Sequence, residues 1–225
     1  MKSLIQTETQ FSGSVYLGDD ISDIHYTKGS IYFGDGGVSN YSKFDNTGKF
    51  IVAGNGRVYN TIYIPAYSMA KDGVNEPVGE IYNNVYYYKF DINAETNKYL
   101  FFNMTLPNDY AEGTAISFIV YCLKTVSTDN GQTATWDINY RWSNIDTAIP
   151  SDAIDSVIIR IDTDNRYYNA SGNSISGVSK KVGSVITGYI SRNLVDNSIG
   201  VDMHLLGVGI SYLVDSLGST NRITK

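Results

Sequence analysis

The sequence predicts an all-β chain, an antiparallel β-sandwich preceded by a small N-terminal hairpin segment. Three observations predict it. Residues 135–142 alternate so strictly that Trp136, Ile138, Tyr140 and Trp142 fall on one face of a strand, while Thr135, Asp137, Asn139 and Arg141 fall on the other. The 225 residues include 19 Tyr and 21 Gly against only 4 Pro, a composition of pleated, half-buried surface joined by tight turns. Eight or nine apolar runs recur between Val58 and Tyr212 at sandwich-like spacing, and helical periodicity is scarce.

The elements follow in chain order. Residues 15–20 are echoed by residues 31–36, two short strands ending in the same Gly-Asp turn. Residues 42–52 read as a hairpin in which Asp45 and Asn46 open the turn and Gly48 takes positive φ. Such ribbons carry little core of their own, so residues 1–56 are expected to lie on something else, as a docking or stalk segment. Residues 57–225 form the main domain. Its first strand, 58–64, ends at Pro65, and a loop with Gly73, Pro77 and Gly79 follows. Residues 84–92 and 98–104 are aromatic on both faces, and 115–123 is a buried strand.

Asn130-Gly131 predicts a hairpin pairing that strand with the tryptophan strand. Residues 148–153 suit one helical turn capped by Ser151 or Asp152. A strand at 156–161, a polar loop at 162–172 and strands at 182–190 and 201–212 complete the domain. The row from Trp136 to Trp142 holds both tryptophans of the chain and is expected in the core.

Composition excludes several chemistries. A net charge of −6 opposes phosphate-backbone binding, so no nucleic acid is expected. No window reaches the length of a membrane span and no signal peptide opens the sequence, so synthesis in a cytoplasm is expected. The single Cys122 gives no disulfide framework, and His25 and His204 have no ligand partners at metal spacing, so neither metal nor other cofactor is expected. His204 alternates with core residues and reads as a hydrogen-bonded interior histidine. Asp162 and Asp164 resemble the start of a calcium loop, but the glycine and glutamate of such a loop are missing. No nucleophile, phosphate-loop or dinucleotide motif is present, and no catalytic residue is expected.

Tyrosine is the one functional signal in the composition. Tyr86, Tyr87, Tyr88, Tyr99 and Phe101 suit a subunit interface, a glycan platform or an aromatic core, and the interface is expected because a two-layer domain does not cover both of their faces. Tyr167 and Tyr168, in the polar loop, are the alternative glycan-binding pair.

The phrase Tyr32-Phe33-Gly34-Asp35, followed by Tyr41 and by Phe44-Asp45 with Gly48, resembles the opening of many tailed-phage virion proteins, bacterial or archaeal. The later stretches Val58-Tyr59-Asn60 to Ile64-Pro65, 115–121, 135–142 and 201–212 with the tail at 218–221 are similar to a family of phage structural proteins with a trimeric jelly-roll domain. That resemblance implies a jelly-roll-like sandwich and a homotrimer decorating or projecting from a capsid or tail. Residues 1–56 would dock on the major capsid protein or another virion protein. It also implies the virion as location and no catalytic residues. Where those relatives carry histidines on the central strand, this chain has Val120, Tyr121 and Cys122. A receptor- or carbohydrate-binding fibre or tail-tip module, holding a host surface glycan, is the alternative.

Overall fold

The structure is a computed structural model that describes residues 31–34, 39–45, 48–93, 97–126, 131–162 and 166–216. Strands β1 (Ile31–Gly34), β2 (Tyr41–Phe44) and β3 (Phe50–Val52) form a small antiparallel sheet of their own. Its second turn is closed by the Asp45 amide donating to the Lys49 carbonyl at 3.0 Å, and Gly48 takes φ +82°. The sheet is tied to the main domain where the Val52 amide donates to the Asp215 carbonyl at 2.6 Å, beside a bridge between Ile51 and Ser216. The expectations placed on residues 15–20, on His25, on Asp164 and on the tail at 218–221 lie outside the described residues.

Among the described residues ten strands make the sandwich: β4 (Val58–Pro65), β5 (Val78–Tyr82), β6 (Val85–Phe90), β7 (Leu100–Thr105), β8 (Ile116–Lys124), β9 (Gln132–Ser143), β10 (Ala153–Ile161), β11 (Arg166–Ser171), β12 (Val185–Asn193) and β13 (Met203–Val214). Four pairings are nested in sequence: β9 with β10, β8 with β11, β7 with β12, and β4 with β13. The chain is therefore a long hairpin rolled on itself, and the β12–β9 and β13–β8 pairings close the roll. The result is jelly-roll connectivity, with one sheet ordered β10-β9-β12-β7 and the other running β11-β8-β13 to β4, β6 and β5. A register shift between Leu205 and Gly207 lets β13 pair with β6 through residues 203–205 and with β4 through residues 207–214.

The facing rows fill the space between the sheets. Trp136 and Ile138 are fully buried and Trp142 nearly so, while Tyr140 is half-buried against Phe118 at 5.1 Å. Trp136 meets Phe90 edge-to-face at 5.0 Å, and the Trp142 indole N–H donates to Ser184 Oγ at 2.8 Å. In the polar row Thr135 is the exception, buried with its hydroxyl donating to the Asp196 carbonyl at 2.7 Å. Arg192 is buried on the inner side of β12, its guanidinium donating to the carbonyls of Phe90 at 3.1 Å and Ile199 at 3.0 Å. Desolvation pulls its pKa down to about 10, which leaves the cation intact at neutral pH.

Four expectations need correction. The loop after Pro65 contains β5, because Asn83 and Asn84 both take positive φ, 47° and 64°, and close a tight hairpin onto β6. The polar loop at 162–172 contains edge strand β11. Residues 148–152 are not helical; Asp152 turns instead to Arg141, which donates from Nε and Nη2 at 2.5 and 3.2 Å. The segment around Gly131 does not pair β8 with β9, since these strands lie in opposite sheets and the connection crosses between them. Both strands carry a full inward row, and facing each other across the core buries more of it than lying side by side would.

Candidate functional site

The structure divides the expected interface residues. Tyr87 and Tyr88 are buried within their own chain, 3% and 7% exposed, so they do not present an interface. The Tyr87 ring packs on His204 at 4.4 Å, and Tyr88 joins the core with the Lys71 ammonium 4.9 Å over its ring. The missed hairpin explains this, because β5 and β6 fold back on β13 and cover what the sequence leaves open. Tyr86 is exposed at the hairpin end. Tyr99 and Phe101 lie instead on the four-stranded sheet, clustered with Tyr189 at 5.0 and 5.6 Å.

Tyr167 and Tyr168 do not form one platform. Adjacent residues of a strand point to opposite faces, and here Tyr167 is exposed while Tyr168 packs against the core. Asp162 accepts from Arg160 Nε at 2.9 Å, and among the described residues no three His, Cys, Asp or Glu side chains are grouped to hold a metal ion. Cys122 is fully buried, which pushes its thiol up to about 12 and leaves it protonated and unreactive at neutral pH. No helix among the described residues is long and apolar enough to cross a membrane.

A more continuous aromatic surface lies on the outer face of the larger sheet. Tyr59 and Tyr63 share a face of β4, and Tyr67 follows in the short 3-10 turn Ala66–Ser68; Tyr59 and Tyr67 are 72% and 66% exposed. Register places Leu213 beside Tyr59, and Gly209 of β13 beside both Tyr63 and Ile119. Tyr121 of β8 reaches across to Tyr63, edge-to-face at 5.2 Å. Two glycines make this possible. A Cβ on Gly207 would sit 2.7 Å from the Tyr63 ring, and one on Gly209 would sit 3.0 Å from that of Tyr121.

The rings therefore lie in a trough along β13. The Tyr63 hydroxyl donates to the Leu206 carbonyl at 2.8 Å, and burial, with the Tyr121 and Tyr67 phenols beside it, raises its pKa so that it stays a neutral donor. Sequence reasoning passed over this surface. Its only signal is Tyr59 and Tyr63 at strand spacing, matched by the alternating Gly207 and Gly209, and that match emerges once β4 and β13 are known to be neighbours.

His204 occupies the same outer face, buried at the β6 end of β13, with Nδ1 3.3 Å from the Leu123 carbonyl. Burial depresses its pKa and Lys89 acts in the same sense, against the Leu123 carbonyl, Glu80 and Asp202. The unfolded chain thus takes up the proton first, at about pH 6.5. Stability from this group is complete above that value, falls as pH drops through it, and levels off below the folded pKa. The melting temperature should fall between about pH 7.5 and about pH 5.5, and His204→Asn should lose part of that slope. Equal slopes in differential scanning calorimetry would remove the assignment.

No family model matches this chain, and no curated protein matches it.

Proposed function

We propose that this chain is a non-enzymatic structural protein of a tailed-virus particle, a homotrimer that decorates or projects from the capsid or tail. The observation that carries the reading is the tyrosine strip of β4 and the 3-10 turn, seated in the glycine trough. The inner side of the larger sheet is already filled by the second layer, and on its outer side Tyr59 and Tyr67 stand largely exposed on either side of the Tyr63 ring that is seated within the chain. Tyrosine suits it to a partner surface, giving large contact area for little conformational entropy while its hydroxyl tolerates water before assembly.

A trimer closes by a heterologous contact, in which each subunit offers two different patches. The second patch is the β5–β6 hairpin, which carries exposed Val78, Ile81 and Tyr86. Jelly-roll connectivity and the "YFGD" opening agree with the resemblance to phage virion proteins. Residues 1–56 would dock on the capsid or on another virion protein, after synthesis in the host cytoplasm. The hydrogen bond from Val52 to Asp215 would pass load from that segment to the end of β13, the strand at the centre of the larger sheet.

Sedimentation of the full chain at micromolar concentration tests this. The wild type should run as a trimer, and Tyr59→Asp with Tyr67→Asp should give a folded monomer, because both side chains are exposed and burying a carboxylate at an interface is costly. Ile81→Asp should do the same from the other patch. A wild-type monomer, or a trimer surviving both sets of substitutions, would overturn the reading. A second reading, a receptor- or carbohydrate-binding fibre or tail-tip module, is favoured by a separate observation on the opposite sheet.

A further inference from the structure

The outer face of the four-stranded sheet carries a shallow groove of about 350 Å³, built as two rungs across β7, β12 and β9. Register sets the first rung as Phe101, Tyr189 and Asn139, and the second as Asn103, Thr187 and Arg141, with Asp152 paired to Arg141 at its end. The rungs are two residues apart along each strand, about 7 Å. Between them Gly188 forms the floor. Its missing side chain would point to the core with those of Ile186 and Ile190, and a Cβ there would lie 2.3 Å from the Asn139 carbonyl, so this position gives the groove bare backbone only.

The first rung is mostly aromatic and held in place from behind. Tyr99 packs edge-to-face on Tyr189 at 5.0 Å, and Tyr189 lies 5.6 Å from Phe101. Burial raises the Tyr189 pKa, the Tyr99 phenol and the Asp152 and Asp137 carboxylates act in the same sense, and the Asn139 side chain opposes them. The remaining polar group of this rung is the Asn139 side-chain oxygen. That oxygen, Oδ1, is buried and has no hydrogen-bond partner among the described residues, an acceptor already stripped of water.

The second rung offers an amide, a hydroxyl, and a guanidinium facing a carboxylate, with no net charge between the last two. An anionic or cationic ligand would meet one favourable and one unfavourable group there. A polyhydroxylated neutral ligand can donate to Asp152 and accept from Arg141 with adjacent hydroxyls.

We propose that this groove binds a neutral saccharide, one or two pyranose units. An apolar sugar face would lie on Tyr189 and Phe101, one hydroxyl would donate to Asn139 Oδ1 after the amide turns out into the groove, and a vicinal pair would engage Arg141 and Asp152. The size is at the small end of ligand sites, and the openness to water sets affinity in the millimolar range for a single site. Three such grooves on one projecting trimer would act together on a glycan-covered surface and bind it far more tightly than any one alone. The groove deepens the receptor-binding reading and makes no use of the tyrosine strip, which lies on the other sheet.

The test is titration of the isotope-labelled full chain with the methyl glycosides of glucose, galactose, mannose and N-acetylglucosamine, and with glucuronate as a charged control, followed by NMR. At least one neutral glycoside should shift the resonances of Gly188 and Tyr189, and glucuronate should not. Tyr189→Ala and Asn139→Ala should each weaken binding by about tenfold or more, with circular dichroism unchanged. Tyr167→Ala should leave it intact. The Tyr59→Asp, Tyr67→Asp chain should bind the sugar as well as the wild type, and Asn139→Ala should keep the wild-type oligomeric state, so either proposal can fail alone. No shift with any neutral glycoside at tens of millimolar, equal binding of glucuronate, or undiminished binding by Asn139→Ala would overturn the assignment.

Discussion

Trp136→Ala should lower the melting temperature by roughly 6–20 °C, the largest loss expected from a single truncation in this chain. The indole is fully buried on β9, in the middle strands of the smaller sheet, and packs on Phe90 of the opposite layer at 5.0 Å. Truncating a buried tryptophan costs about 3–5 kcal/mol through lost transfer energy and the cavity left behind, against a total stability of roughly 5–15 kcal/mol. The surroundings have little freedom to collapse into that space, because β9 is flanked on both sides, by β10 and β12, and Phe90 is itself fixed through Arg192.

Trp142→Ala should cost less. Trp142 sits nearer the end of the same strand, 4% exposed, with the Lys180 ammonium 5.6 Å over its ring and hydrogen-bonded to its carbonyl, so water can enter the space left behind. Thermal melts of the two variants beside the wild type check both the size and the order of the losses. Equal losses, or a Trp136→Ala chain as stable as the wild type, would mean that the core repacks and that the row is less rigid than its burial implies.

How far the sequence carries the fold can be read at particular residues. The Trp136 to Trp142 row was legible because one strand states its own two faces, and period two needs no partner to be seen. The hairpin at Gly48 was legible for the same local reason. Strand β5 was not, since Pro77 and Gly79 argue against a strand and its pairing depends on two consecutive asparagines taking positive φ. Strand β11 was hidden by its own exposure, an edge strand whose outward residues read as a polar loop. The partnership of β8 and β9 was misread because a turn dipeptide predicts a bend and does not say whether the next strand returns beside its predecessor or crosses to the other sheet.

Neither candidate surface could have been assembled from the sequence. The groove joins residues 101, 139, 152 and 189, and the strip joins residues 59, 63, 121 and 207, separations that only the rolled-up pairing removes. At the groove Phe101 and the adjacent Tyr99 were visible, but as members of the wrong neighbourhood, and the strip was not seen at all.

The last expectation links stability to the tyrosine strip through one backbone position. Gly207→Val should lower the melting temperature by roughly 6–12 °C, from an overpacking cost of about 3 kcal/mol. The added Cβ would lie 2.5 Å from the Ile64 carbonyl oxygen and 2.7 Å from the Tyr63 ring. The ring can swing away, but the carbonyl belongs to the strand paired with β13, so relief requires β4 itself to shift. Tyr63 then loses its hydrogen bond to Leu206 and its edge-to-face contact with Tyr121, and the strip loses its seat. Gly209→Ala is the informative contrast, since its Cβ would meet only side-chain atoms, Thr61 Cγ2 at 2.9 Å and the Tyr121 ring at 3.0 Å, which can rotate aside. It should cost no more than about 1 kcal/mol. If the strip is the association face, Gly207→Val at a temperature where it remains folded should sediment as a monomer while Gly209→Ala remains a trimer. A Gly207→Val chain that is destabilised yet fully trimeric would separate the trough from assembly and leave it a device for seating β4 alone.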